Sequence, residues 1–195
     1  MRNLHKQEFL ITRADRERLG GHPGRVVWFT GLSGAGKSTL ANALEVELFA
    51  RGKRTYVLDG DNLRQGLNKD LPFTDEGRVE NIRRVAEVAK LMLDAGVIVM
   101  TAFISPFKAD RDLARELIGP PKFLEVFVDT PLAECEARDS KGLYRKARTG
   151  ELRHMTGIDS PYEAPTKPDL VIDSGACSID QSVQALCLLI DRPPG

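Results

Sequence analysis

The sequence is poor in the features that mark exported, membrane-spanning and metal-stapled proteins. It has three cysteines in 195 residues, and none lies in a C-x-x-C pair. We therefore expect neither a disulfide framework nor a zinc site, and interpret Cys135, Cys177 and Cys187 as buried apolar residues. No apolar run approaches the roughly 20 residues of a membrane-spanning helix, and no signal-peptide pattern follows Met1. These absences predict a cytoplasmic protein without a membrane partner.

Charge of one sign is also not in excess. Lys and Arg total 28, Asp and Glu total 28, and the net charge is zero. Nucleic-acid binding usually shows as a cationic excess, so nucleic acid is not the expected partner. The three histidines, His5, His22 and His154, have no metal-ligand spacing, and we expect them to be exposed and without a functional role.

The length fits one domain, and the pattern along the chain divides it at residue 24. Residues 1–24 are polar and end in a glycine-rich turn, which predicts a loosely attached N-terminal arm. Thr12 and Asp15 have the spacing of a helix cap there. Residues 25–195 form the predicted domain.

Short apolar runs alternate with helix-periodic segments from residue 25 onward. This alternation predicts an α/β fold with a parallel sheet of about five strands flanked by helices. The predicted strands are 26–30, 55–58, 97–102, 123–128 and 170–172. The predicted helices are 37–50, 75–94, 108–118, 131–138 and 179–191.

The helix 75–94 has the clearest apolar stripe, and Arg78 and Asn81 lie together on a neighbouring stripe. The expected stripe consists of Val79, Ile82, Ala86, Ala89 and Leu93. Residues 139–157 are basic and nearly free of core periodicity, so we predict a mobile lid there.

A phosphate-binding signature follows the first predicted strand directly. Residues 31–38, Gly-Leu-Ser-Gly-Ala-Gly-Lys-Ser, match G-x-x-x-x-G-K-[ST] and open a predicted helix. Glycines let backbone N–H groups surround phosphates, Lys37 can reach the terminal phosphates, and the Ser38 hydroxyl can bind Mg²⁺. The expected ATP-binding residues are Gly31, Leu32, Ser33, Gly34, Ala35, Gly36, Lys37, Ser38 and Thr39.

A phosphate loop alone fits a kinase, a GTPase switch or an ATP-driven machine. The guanine-specific N-K-x-D pattern is not matched, because Asn68-Lys69-Asp70 lacks the intervening residue and comes too early. A carboxylate at a strand end next to a phosphate loop suits an acceptor site instead. Asp61 has that position and could accept a proton and help to bind the metal, whereas Asp59 fits a metal contact and a structural hydrogen bond equally well.

The segments after the second strand resemble the adenylylsulfate (APS) kinases, which are P-loop kinases. The resemblance is carried, in order, by 58–68 (LDGDNLRQGLN), Phe73-Thr74, 78–84 (RVENIRR), 103–107 (FISPF), 141–144 (KGLY) and 156–163 (TGIDSPYE). It implies transfer of the γ-phosphoryl group of Mg-ATP to the 3′-hydroxyl of adenosine 5′-phosphosulfate, giving 3′-phosphoadenosine 5′-phosphosulfate (PAPS) in sulfate assimilation.

The same resemblance assigns roles to individual residues. It places Arg64 and Arg78 on the phosphosulfate, Phe73 on the adenine of APS, and Arg138 near the adenine of ATP. The further APS-binding residues that it implies are Asp61, Asn81, Ile104, Ser105, Lys141, Gly142 and Met155. Met155 stands where the family usually has a second phenylalanine, and we expect that difference to affect acceptor affinity.

Ser105 is the residue whose role stays open. The family's corresponding serine is commonly assigned as a phosphorylated intermediate, so Ser105 counts with Lys37 and Asp61 as a candidate catalytic residue. In-line transfer needs no covalent stop, and no partner base is evident in the sequence, which favours a contact to the acceptor.

Two other functions remain open at this point. The same fold could phosphorylate a nucleoside monophosphate or a sugar acid, or the chain could be a non-catalytic, nucleotide-binding partner of ATP sulfurylase. The resemblance also implies a homodimer and a functional link to ATP sulfurylase.

Overall fold

A five-stranded sheet forms the centre of the protein. The structure is a computed structural model, and it describes residue 5 and residues 7–192. The strands of the sheet are β1 Arg25–Thr30, β2 Thr55–Asp59, β3 Ile98–Ala102, β4 Phe123–Asp129 and β5 Leu170–Asp173. All neighbours pair in parallel, in the order β2-β3-β1-β4-β5. The predicted α/β fold with five parallel strands is confirmed.

Helices cover both faces of the sheet. They are α1 Arg13–Gly20, α2 Lys37–Ala50, α3 Gly60–Gln65, α4 Asp75–Asp94, α5 Lys108–Ile118, α6 Leu132–Arg138, α7 Leu143–Arg148 and α8 Ile179–Ile190, with a 3-10 helix at Pro120–Lys122. The short helices α3 and α7 were not predicted, because six residues carry too little periodicity to be recognised.

The core has two halves that meet at the sheet. Val27 and Phe29 of β1 face the half that includes α2 and α8, whereas Val26 and Trp28 face the half that includes α4 and α5. All six residues of β1 are buried. Side chains on both faces of β1 are removed from water. Each fully buried apolar side chain contributes about 1.5–3 kcal/mol to the stability of the fold.

The expected apolar stripe of α4 is correct apart from its first member. Val79 is 44% exposed, while Val85, which was not predicted, is fully buried. The first turns of α4 reach the cavity described below, so their inward positions are taken by Arg78 and Asn81.

Residues 12–24 of the predicted N-terminal arm are attached more firmly than the sequence suggested. The predicted cap of Thr12 on Asp15 is present, and Arg16 of α1 pairs with Asp94 at 2.8 Å. His22 is only 5% exposed, and its Nε2 accepts a hydrogen bond from the Arg54 N–H at 2.9 Å. Loose attachment of residues 12–24 and exposure of His22 were therefore wrong predictions; the division at residue 24 stays a prediction.

The cysteines divide into two buried and one exposed. Cys135 and Cys187 are buried as expected, and burial raises the pKa of both thiols. Cys177 is exposed, which corrects that part of the prediction. It lies in the turn between β5 and α8, where no sheet or helix covers it. Within residues 5 and 7–192, no helix has the length and apolar character needed to cross a membrane.

Candidate active site

A cavity of about 440 Å³ lies at the carboxyl ends of β1, β2 and β3. Open parallel sheets bind ligands at this edge, and the volume is typical of a small-molecule site. The predicted site residues that line it are Ser33, Gly34, Gly36, Lys37, Ser38, Thr39, Asp61, Arg64, Phe73, Arg78, Asn81, Ile104, Ser105, Arg138 and Lys141. The structure therefore brings most of the predicted site together in one cavity.

The loop between β1 and α2 forms one side of this cavity. Gly34 and Gly36 have φ angles of 76° and 106°, values that side chains other than glycine rarely adopt. At Gly31, an added Cβ would lie 2.6 Å from the carbonyl oxygen of Val128. Gly31, Leu32 and Ala35 belong to the loop without lining the cavity. The loop thus has the conformation that its glycines predicted.

Lys37 is the buried cation of the loop. It is 7% exposed, and its ammonium donates to the carbonyl oxygens of Gly31 at 2.9 Å and Leu32 at 2.6 Å. Burial lowers the pKa of Lys37 to about 8. A polyphosphate in the cavity would favour the charged form and raise that pKa again.

Two carboxylates lie at the carboxyl end of β2, and they have different partners. Asp59 accepts a hydrogen bond from the Ser38 hydroxyl at 2.7 Å, and its other oxygen accepts from the N–H groups of Asp61 and Asn62, which caps α3. The structural hydrogen bond expected as one of two roles of Asp59 is present, and the metal contact stays a prediction. The Asp61 carboxylate, 61% exposed, pairs instead with the Lys141 ammonium.

Arg64 and Phe73 form one wall of the acceptor side. The Arg64 guanidinium lies over the Phe73 ring, 4.1 Å from its centroid, and donates to the Leu71 carbonyl at 3.0 Å. Phe73 is 62% exposed. One face of its ring is covered by a cation, and the side chain as a whole remains accessible to a ligand.

Arg78 and Asn81 occupy the first turns of α4. Arg78 donates to the hydroxyls of Thr156 at 2.6 Å and Ser160 at 3.4 Å, and also to the carbonyl oxygen of His154. Asn81 is 6% exposed, and its side-chain oxygen accepts from the Asn68 amide at 2.9 Å. The expectation that Arg78 and Asn81 project together is confirmed.

Ser105 has a constrained backbone in the middle of the loop between β3 and α5. Its φ angle is 40°, and its carbonyl oxygen accepts from Arg111 at 2.7 Å. Its hydroxyl oxygen accepts from the indole N–H of Trp28 at 3.2 Å. That partner is a donor only, so it cannot act as a base toward Ser105.

The predicted lid has more core contact than its sequence indicated. Tyr144, in α7, is 2% exposed and donates to the Ser33 carbonyl of the phosphate loop at 2.9 Å. Gly142 caps α7 with a φ of 66° and does not line the cavity. Leu143 and Ala147 also pack against the core, which the weak periodicity of this short helix did not indicate. The mobility of the lid stays a prediction.

Met155 does not lie where the resemblance placed it. It is 5% exposed, belongs to the core half that contains α2 and α8, and does not line the cavity. Neighbouring Thr156 reaches the cavity instead and holds Arg78. In the core the Met155 side chain is almost completely removed from water, which stabilises this position.

Several side chains that organise the site were not identified from the sequence. Thr156 and Ser160 lie in a segment that carried the resemblance, so their hydroxyls could have been predicted as partners of a site arginine. Trp28 resembles any other core residue of a strand, and Arg111 any other helical arginine. Their contacts to Ser105 arise only in the folded chain.

The sheet order, the glycine loop with its buried lysine and the adjoining cationic acceptor side define a P-loop kinase. The family model for adenylylsulphate kinase matches residues 23–173. An adenylyl-sulfate kinase of Yersinia pestis is 66% identical over 160 residues, 82% of this chain and 75% of that protein. The adenylyl-sulfate kinase of Shewanella amazonensis is 58% identical over 186 residues, 95% of this chain and 94% of that protein.

A solved structure gives the same result. The APS kinase of Mycobacterium tuberculosis in complex with AMPPNP and APS superimposes with a TM-score of 0.84 at 50% identity, covering 87% of this chain and 99% of that one. This chain belongs to the adenylylsulphate kinase family, and it is a kinase.

Proposed function

We propose that this chain transfers the γ-phosphoryl group of Mg-ATP to the 3′-hydroxyl of adenosine 5′-phosphosulfate, releasing PAPS and ADP. One observation carries the proposal. A single cavity joins a phosphate loop to two arginines, Arg64 and Arg78, and to an accessible aromatic ring. A loop for one polyphosphate beside a cationic site for a second anion suits two anionic nucleotides.

On the ATP side, backbone N–H groups of the loop and the start of α2 bind the phosphates. Lys37 exchanges the carbonyls of Gly31 and Leu32 for phosphate oxygens, and Arg138 adjoins the adenine. The Ser38 hydroxyl and Asp59 carboxylate, 2.7 Å apart, are hard oxygen ligands of the kind Mg²⁺ prefers, with Asp61 nearby at the cavity. When bound, the metal would neutralise charge on the β- and γ-phosphates.

On the acceptor side, Arg64 and Arg78 hold the phosphosulfate, while Asn81 and Ser105 bond its oxygens. Phe73 offers its ring to the adenine. Ile104 and the lid residue Lys141 line the same cavity, and Gly142 contributes by starting α7 directly after Lys141. Met155 is left out of this set because it packs in the core.

The chemistry follows from this placement. The 3′-oxygen attacks the γ-phosphorus as the bond from that phosphorus to the β,γ-bridging oxygen breaks, and ADP leaves with that electron pair. Lys141 leaves the Asp61 carboxylate and pairs with an anion of the substrate instead. The Asp61 carboxylate then accepts the proton of the 3′-hydroxyl. Lys37 stabilises the charge that builds on the transferred group.

The test is ADP release from Mg-ATP with APS, AMP, other nucleoside monophosphates and gluconate at equal concentrations. We expect turnover with APS only, lost in Asp61→Ala. Asp70→Ala is the matched control, because Asp70 is an exposed carboxylate that pairs with Arg84 outside the cavity. Turnover with another acceptor alone would contradict the proposal, and so would ATP binding without any phosphoryl transfer.

The homodimer, the link to ATP sulfurylase and the cytoplasmic location stay predictions. The first is tested by the mass of the purified protein in solution. The second follows chemically if APS is the acceptor, since an adenylyl transfer to sulfate must supply it.

A further inference from the structure

Trp28 is a buried residue whose polar group has one partner. It is 0% exposed, packs on Phe123 with ring centroids 5.5 Å apart, and does not line the cavity. A buried indole N–H needs an acceptor, and here the acceptor is the Ser105 hydroxyl oxygen at 3.2 Å. Ser105 does line the cavity. The tryptophan therefore touches the acceptor site through one residue.

The direction of this hydrogen bond is fixed by chemistry. An indole N–H can only donate, so the Ser105 oxygen must accept, and the hydrogen of its hydroxyl must point elsewhere. Over residues 5 and 7–192, no protein atom accepts that hydrogen. The hydroxyl thus has one donor left for a ligand in the cavity.

The main chain of Ser105 is held separately. Its carbonyl oxygen accepts from Arg111 at 2.7 Å, and the Thr30 hydroxyl donates to the carbonyl oxygen of neighbouring Ile104 at 2.7 Å; both bonds hold the main chain in which Ser105 has a φ of 40°. With the backbone fixed in this way, the Ser105 side chain can still rotate about its Cα–Cβ and Cβ–Oγ bonds. The indole N–H selects one position of the hydroxyl oxygen.

We infer that Trp28 is a positioning residue for the acceptor substrate: it holds the Ser105 hydroxyl so that its hydrogen is donated to an anionic oxygen of that substrate. The inference rests on the proposed function, in which Ser105 contacts APS. It predicts an effect of Trp28 on the acceptor and none on ATP.

The decisive variant is Trp28→Phe, which retains an aromatic ring on Phe123 and removes the N–H group. We expect the KM for APS to rise about three- to tenfold, as for loss of one hydrogen bond, with the KM for ATP unchanged. In a Ser105→Ala background, Trp28→Phe should cause no further rise in the KM for APS. The packing control is Phe29→Leu, because Phe29 is equally buried but faces the other half of the core.

A spectroscopic measurement covers the case in which Trp28→Phe does not fold. Trp28 is the single tryptophan of the chain, so intrinsic emission reports on it alone. Saturating APS should shift the emission of the wild-type protein, and Ser105→Ala should abolish that shift.

Three results would overturn the role of Trp28: an unchanged KM for APS in an active Trp28→Phe enzyme, an equal rise in Phe29→Leu, or an additive rise in the Ser105→Ala background. An emission shift that persists in Ser105→Ala would do the same. Absence of APS-dependent ADP release by the wild type would refute the proposed function instead, so the two failures are distinguishable.

Discussion

The two sides of the cavity are built in different ways. The phosphate side is a contiguous loop whose ligand-binding groups are mostly backbone N–H groups, with Lys37 buried among main-chain carbonyls. The acceptor side is made of side chains from segments far apart in sequence, such as Arg78 held by Thr156 and Ser160. A site made of backbone depends on local conformation, whereas one made of side chains depends on how distant segments pack.

The largest expected effect comes from Lys37→Met, which removes the one buried cation of the phosphate loop but keeps its length. We expect kcat/KM to fall on the order of 10²- to 10³-fold, as for loss of a group that stabilises transition-state charge. Steady-state kinetics with both substrates measures the fall. A loss below tenfold would contradict the role of Lys37.

The same variant should be more stable than the wild type. Burial lowers the pKa of Lys37 from 10.5 to about 8, so at pH 7, where the side chain is charged in both states, burying that charge costs roughly 3 kcal/mol. That cost disappears as pH rises from about 8 to 10.5. Urea unfolding at pH 7 should therefore give a larger free energy of unfolding for Lys37→Met than for the wild type. The difference should shrink toward pH 10.

Arg78→Lys should weaken the acceptor side alone. The planar guanidinium of Arg78 donates hydrogen bonds to Thr156, Ser160 and the main chain at the same time. A lysine has only a single ammonium in its place. We expect the KM for APS to rise about tenfold or more, with little change for ATP. Arg83→Lys is the control, since Arg83 lies on the same helix and pairs with Glu80 at the surface. Equal rises for both substrates would show that the two sides are not separable.

Tyr144→Phe tests whether the lid segment supports the phosphate loop. It removes the 2.9 Å hydrogen bond to the Ser33 carbonyl without emptying the core. A few-fold rise in the KM for ATP is expected, with the KM for APS unchanged. If only the KM for APS rises, α7 belongs to the acceptor side.

The smallest expected effect is the uptake of a fraction of a proton when ATP binds. Near pH 8 about half of the Lys37 ammonium groups are deprotonated in the free protein, and phosphate raises the pKa, so ATP binding should take up as much as half a proton. Calorimetry in buffers of different ionisation enthalpy measures this. Lys37→Arg, whose charge is permanent, should show no such uptake.

This contrast also explains what could be predicted from the sequence. The strands, the α4 helix and the glycine loop are encoded by neighbouring residues, and their predictions were confirmed. The burial of His22 and Met155 depends on packing against distant elements, and the sequence pattern carried no signal for it. The partners of Ser105 were out of reach for the same reason, although Ser105 itself was identified. The hydroxyls that hold Arg78, by contrast, lie in a segment that carried the resemblance.

The most direct test of the account is a matrix of initial rates over ATP and APS concentrations for the wild type and Arg78→Lys. We predict APS-dependent ADP release by the wild type, and a variant whose KM rises for APS while its KM for ATP is retained. No APS-dependent turnover by the wild type, or equal rises for both nucleotides, would contradict a kinase whose phosphate loop and acceptor arginines bind their substrates separately.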